Sequence, residues 1–292
     1  MAWLSRILAP VAFSPRCRGA IEYAETLARD FHSEVVLLHV VSPPVGIFSS
    51  PEVPAYSTVR ELTEERLEQA RTALAGYLND PRLDIPVARE LLIGDPARAI
   101  VDCARDCASD LIVMATHGYG PFRRFLLGSV TAKVLHDACC PVWTGPHLEQ
   151  TPERQRVDFR RILCAIDLDG GSRAVLEWGW RFARWFGAEV VVVHVLPHTL
   201  VQLGGVYFDA AWREHAAEVA HQQICRLQQE VGMAAEELIE IGEPPSAIRD
   251  LAAERKADLL VIGRGRDNGL AGRLRANAYA ILRESPCPVV TV

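Results

Sequence analysis

DLIVMATHGYGPFRRFLLGSVTAKVLHDACCP, Asp110 to Pro141, reads as strand, glycine loop, helix and strand entry in one continuous run. Leu111 to Met114 is a short apolar run suited to a buried parallel strand, and Thr131 to Ala138 has helical periodicity. Gly118 and Gly128 lie between them, and Gly128 is followed at once by Ser129 and the helix. Glycine lets backbone approach a ligand closely, and a helix start offers unpaired N–H groups and a positive dipole end to an anion. The run is not a P-loop, which needs G-x-x-x-x-G-K-[ST]. Gly118-Tyr119-Gly120 also lacks the third glycine of a dinucleotide fingerprint. A phosphate suits the pocket these residues would make.

Working outward, the same sentence is written twice. Arg6-Ile7-Leu8 is echoed by Arg161-Ile162-Leu163, and Glu34 to Val40 (EVVLLHV) by Glu189 to Val195 (EVVVVHV). Ile93-Gly94-Asp95-Pro96 is echoed by Ile241-Gly242-Glu243-Pro244, Asp110-Leu111 by Asp258-Leu259, and Cys140-Pro141-Val142 by Cys287-Pro288-Val289. A repeat of this length means one domain in two copies, placed at 1–144 and 159–292. The polar stretch 145–158 (GPHLEQTPERQRVD) is the linker.

Each copy alternates β-branched runs with helical stretches, the pattern of βαβ units and a parallel sheet. Strands are expected near 5–11, 34–41, 86–93, 110–115 and 141–144, with helices near 15–31, 59–79, 96–107 and 128–138. In the second copy, strands are expected near 160–166, 188–195, 235–241, 258–262 and 288–292, with helices near 171–186, 209–231, 245–255 and 275–284. Open parallel sheets bind ligands at the carboxyl ends of strands where the strand order reverses, and the Gly118 loop follows the fourth strand as that rule asks. Residues 42–58 carry four prolines and form either a surface loop or a lid over the first cleft.

Composition narrows the function. The 292 residues are 49% apolar, ample for two conventional cores, and 31 basic against 37 acidic residues leave a net charge of −6. That balance points to no nucleic-acid or anionic-membrane partner. No apolar run approaches the roughly 18 residues of a transmembrane helix, and 1–15 lacks a signal peptide's apolar core, so a cytoplasmic protein is expected. The eight cysteines, at 17, 103, 107, 139, 140, 164, 225 and 287, include no CxxC and read as free thiols. Cys103 and Cys107 share a helix face. No tight Cys/His cluster stands out, and no metal site is expected.

The loop resembles that of the universal stress protein family, G-x2-G-x9-G-[ST], with Gly118, nine intervening residues, then Gly128 and Ser129; the first glycine falls on Ala115. The likeness covers both halves. It implies an α/β fold of two tandem domains, each an open five-stranded parallel sheet of order 3-2-1-4-5 flanked by helices. It also implies an intramolecular pseudo-dimer paired across the last strands, with further assembly into a homodimer of tandem chains left open. Adenine-nucleotide binding is implied too, with ATP, with or without magnesium, in the first domain. By that resemblance the site is Val40, Ala115, His117, Gly118, Gly128, Ser129 and Val130, while the aspartate that faces adenine in the family is replaced by Ala12.

The second half departs in the opposite way. Asp167 and Val195 match the adenine side and Gly263 the first glycine, but the glycine-serine pair falls on Arg275-Ala276 or on Ala276-Asn277. We read this as a degenerate second site, with Arg264, Arg266, Arg273 and Arg275 around it. His39 and His194 precede the strand-end valines and read as packed strand residues. Trp178 and Trp185, two turns apart, are expected to share a helix face. No catalytic constellation is visible, so enzymatic activity is at most slow ATP hydrolysis. The leading expectation is a nucleotide-responsive regulatory module with a protein partner of unknown identity. The alternative is a scaffold or small-ligand binder that has abandoned ATP.

Overall fold

The computed structural model describes residues 3–42, 56–80, 83–116, 127–145, 158–197, 210–264 and 276–292. The chain divides into two compact units, the first built mainly from Met1–Arg124 and Gly128–Val142 and the second mainly from Arg156–Val292.

In the first unit the elements run β1 (Arg6–Pro10), α1 (Pro15–Phe31), β2 (Glu34–Val41), α2 (Tyr56–Ala75), β3 (Val87–Ile93), α3 (Pro96–Asp106), β4 (Leu111–Val113), α4 (Ser129–Asp137) and β5 (Val142–Thr144). The sheet order is β3-β2-β1-β4-β5. β1 pairs in parallel with β2 (Ile7 opposite Val35) and with β4 (Leu8 opposite Ile112). The order therefore reverses beside β1, where the chain goes out to β2 on one side and returns as β4 on the other. Ile7, Leu8, Leu37 and Leu111 are fully buried, as continuous apolar strands covered on both faces must be.

The second unit has the same plan: β6 (Arg161–Ile166), α5 (Ser172–Phe186), β7 (Glu189–Pro197), α6 (Ala210–Val231), β8 (Glu236–Gly242), α7 (Pro244–Glu254), β9 (Leu259–Ile262), α8 (Ala276–Glu284) and β10 (Val289–Thr291). Its order is β10-β9-β6-β7-β8. Counted within each unit, both sheets follow 3-2-1-4-5.

Both units close the lower end of the sheet with one device. Asp110 Oδ2 accepts the backbone N–H of Ser5 (2.6 Å) and of Arg6 (3.0 Å), while the Asp110 N–H donates to the Arg6 carbonyl (2.9 Å). Asp258 Oδ2 accepts from Arg160 and Arg161 (2.8 Å each), and its N–H donates to the Arg161 carbonyl (2.9 Å). This satisfies backbone groups at the entry to the central strand, which otherwise lack a partner.

Helix α5 lies close on the second sheet because Gly179 has no side chain; a Cβ there would stand 2.3 Å from the Cys164 Sγ. Around it Phe159, Trp178 and Phe182 pack as an aromatic cluster, with the Trp178 and Phe182 rings stacked at 5.0 Å. Trp178 and Trp185 stand about 20° apart around the helix, as expected, yet Trp178 is buried and Trp185 is 43% exposed. The buried positions Val175, Phe182 and Ala183 centre the inward face well to one side of Trp178. At about 100° per residue, Trp185 falls outside its margin.

Candidate functional site

The upper end of each sheet, where the strands deliver their carboxyl ends, holds those residues singled out from the sequence that are described, among them Val40, Ala115, Gly128 and Asp167. In the first unit the junction between β4 and α4 is tied by two hydrogen bonds. The Gly128 N–H donates to the Thr116 carbonyl (2.9 Å), and the Thr131 hydroxyl donates to the Ala115 carbonyl (3.1 Å). Gly128 is the N-cap, with extended backbone, and its carbonyl accepts from Ala132 (2.8 Å) to open the helix. The first N–H groups of α4, from Ser129 onward, have no intrahelical carbonyl to bond. Ser129 is exposed and Val130 half-buried. His117 and Gly118 lie outside the described residues, as do Arg123 and Arg124 and most of the proline-rich stretch after β2.

Ala115, at the end of β4, is buried. Its counterpart, Gly263, would place a Cβ 3.5 Å from Val175, an ordinary contact. Val40 sits half-buried near the end of β2. Beside it the His39 Nδ1–H donates to the Val11 carbonyl (2.7 Å), and His194 makes the same bond to Ile166 (2.9 Å) in the second unit. Each imidazole thus ties the end of one strand to the end of its neighbour, the packed role read from the repeat.

Phe13 was not anticipated. It follows Ala12 with φ of +53°, and Leu168 follows Asp167 with φ of +63°, so the two units share a left-handed residue at the turn after the central strand. Bulky side chains rarely adopt that conformation, and such outliers collect at ligand sites. The turn lays the Phe13 ring on His39, centroids 4.2 Å apart, with Tyr77 at 6.0 Å. An aromatic platform therefore stands beside the position where Ala12 withdraws the carboxylate. Nothing in the sequence marks it, because the backbone conformation at Phe13 has no local residue signature.

In the second unit the corresponding space is a cavity of about 370 Å³ lined by Asp167, His194, Val195 and Gly263, with Ser172 and Asn277 adding polar atoms to a mostly apolar wall. Its size falls in the range of small-molecule pockets. Asp167 Oδ1 accepts from the Ser172 hydroxyl and the Asp169 N–H, both at 3.3 Å, which fixes the carboxylate at the rim. The His194 Nδ1–H on this wall is committed to the Ile166 carbonyl. Arg264 is not available to an anion in this cleft: it is buried, its N–H donates to the Val292 carbonyl (3.1 Å), and its guanidinium approaches the Thr291 carbonyl (3.5 Å). Arg266, Arg273 and Arg275 lie outside the described residues.

All eight cysteines are free. Burial, then the neighbouring Cys107, pushes the Cys103 thiol up to about 12, and burial alone pushes Cys164 to about 12. No helix among the described residues is long and apolar enough to cross a membrane.

The model of the universal stress protein family matches residues 4–144 and 158–292. A universal stress protein of Methanocaldococcus jannaschii is 33% identical over 139 residues, 47% of this chain and 79% of that protein. One from Mycobacterium tuberculosis is 23% identical over 266 residues, 88% of this chain and 86% of that protein. Among solved structures, a universal stress protein from Archaeoglobus fulgidus superposes with a TM-score of 0.68 at 21% identity, over 98% of this chain and 97% of that one, a likeness of fold.

Proposed function

The chain belongs to the universal stress protein family, and from that premise we propose that it is an adenine-nucleotide-binding regulatory module whose phosphate-gripping site lies in the first unit. The observation that carries this is the tied junction at Ala115, Thr116 and Gly128, which holds the start of α4 at the end of β4. Ser129 and Val130 then present N–H groups to the phosphates of ATP, Val40 lies on the base side, and the Phe13 ring offers adenine a stacking face where Ala12 offers no hydrogen bond. Magnesium, if it accompanies the nucleotide, is held by the phosphates, since Ala12 supplies no carboxylate. What ATP supplies is charge and shape to be sensed; no described residue is placed to activate water.

The test is calorimetric titration of ligand-stripped protein with MgATP, beside Gly128→Asp. Aspartate is a good N-cap, so the helix forms, but its carboxylate occupies the N–H groups and repels phosphate. One equivalent of binding in the wild type and none in the variant supports the reading. Absence of binding in the wild type refutes it in favour of a scaffold acting through protein partners. Phosphate release abolished by the variant would add slow hydrolysis.

A second reading rests on the cavity around Asp167. With its carboxylate fixed at the rim and no glycine-serine helix start beneath, that space suits a nucleoside or another small ligand with an amino donor rather than a triphosphate. Adenosine binding lost in Asp167→Ala and kept in Gly128→Asp would support it.

A further inference from the structure

Away from both clefts, α6 and β8 bring together three side chains of metal-binding type. His221 and Cys225 stand one turn apart on α6, and Glu237 reaches them from β8; one donor atom from each lies within 4.8 Å of the other two. The sequence reading passed over this group, because the i,i+4 pair is unremarkable until a strand 16 residues on from His221 supplies the third donor. None of the three lines the cavity at Asp167.

We infer that His221, Cys225 and Glu237 form a binding site for a divalent transition-metal ion of the zinc class. The three donors are gathered closely enough that a turn of the His221 imidazole, which now faces Cys225 with both nitrogens equally, would bring them round one ion. Cys225 Sγ lies 3.8 Å from His221 Nδ1 and 3.7 Å from Nε2. In a tetrahedral zinc site, with metal–nitrogen bonds near 2.0–2.1 Å and metal–sulfur near 2.3 Å, nitrogen and sulfur stand roughly 3.5 Å apart. Glu237 Oε1 is hydrogen-bonded to His221 Nδ1, while Oε2 is buried with no hydrogen-bond partner among the described residues. A buried carboxylate oxygen without a donor is costly, and a cation is what satisfies it. Glu218, one turn before His221, adds to the negative potential there.

The donor set of one imidazole, one thiolate and one carboxylate is borderline in softness and favours zinc over calcium or magnesium. Three protein ligands leave a coordination position for water. An ion bound here takes the place of the hydrogen bond between His221 and Glu237. The half-buried Cys225 and exposed His221 give the ion direct access from solvent.

Cobalt(II) is the probe, titrated into the full, reduced, metal-free chain. One equivalent should give a thiolate-to-cobalt charge-transfer band that zinc then abolishes by displacement. Cys225→Ser should remove the band, whereas substitution of the exposed Cys139 should leave it. His221→Ala and Glu237→Gln should each weaken cobalt binding by about tenfold or more. All four substituted side chains are at least partly exposed, so the variants fold. A band that persists in Cys225→Ser, no band in a protein whose Cys225 thiol reacts freely with an alkylating reagent, or unchanged affinity in Glu237→Gln would each overturn the assignment.

Discussion

The sulfur of Cys164 occupies the space a side chain at residue 179 would need, since a Cβ on Gly179 would lie 2.3 Å from Sγ. Cys164 is on the central strand of the second sheet and Gly179 in the middle of α5. Helix and sheet approach as one unit around that single pair.

Gly179→Ala should therefore destabilise the second unit by about 1–3 kcal/mol, despite alanine's better helix propensity. Cys164→Ala empties the space, so the double variant should be more stable than the sum of the two changes by more than about 1 kcal/mol. Denaturant unfolding of the four proteins decides; strict additivity would show that α5 shifts to accommodate the methyl.

Ala12→Asp should restore an acceptor on the base side of the first cleft. A charge-assisted hydrogen bond of about 1.5–3 kcal/mol corresponds to roughly tenfold to a hundredfold tighter ATP binding. The gain should be larger for adenine than for guanine nucleotides, because only adenine presents an amino donor there. Equal gains for both would place the new carboxylate away from the base.

Asp110→Asn and Asp258→Asn should each cost about 1–2 kcal/mol by weakening two backbone hydrogen bonds at the entry to β1 or β6. Both residues lie at the ends of the strands opposite the clefts, so nucleotide affinity should not change. A loss of affinity that tracks the loss of stability would mean the two ends of the sheet are coupled.

Asp95 caps α3, accepting from the Arg98 N–H (2.9 Å) and from Lys133 Nζ (3.1 Å), and the backbone bond to Arg98, then Lys133, holds its carboxyl below the usual value. A carboxyl lowered in the folded state stabilises above its unfolded value and loses that contribution as pH falls through the folded one. Asp95→Ala should thus lower Tm at neutral pH and leave it unchanged in acid, below both values. Glu243, at the same place before α7, makes no side-chain cap, and Glu243→Ala should leave Tm unchanged at either pH.

The repeat is what made the fold legible. β2 spans Glu34–Val41 and α1 Pro15–Phe31, as their patterns indicate, because β-branched runs bounded by glycine and proline signals leave few alternatives. α2 ends at Ala75, earlier than the residue 79 that its periodicity suggests. Gly128 caps α4 and Asp167 follows directly on β6, positions that their sequence spacing indicates. What stayed hidden depends on three-dimensional placement: the left-handed turn that lays Phe13 on His39, the burial of Arg264 beneath the last strand, and the meeting of His221 with Glu237. None of these has a local period or motif.

The aspartate clamps also set an order of events during synthesis. Asp110 reaches back 105 residues to Ser5, and Asp258 reaches back 98 to Arg160. The first strand made in each half is thus the central one, yet it is sealed only when the fourth strand arrives. At about 5–20 residues per second a ribosome needs roughly 5–20 seconds to cover that distance. Through that interval each nascent half carries an apolar strand with one side unpaired, so the protein's exposure to chaperones and to misassociation falls in two separate windows, one per copy.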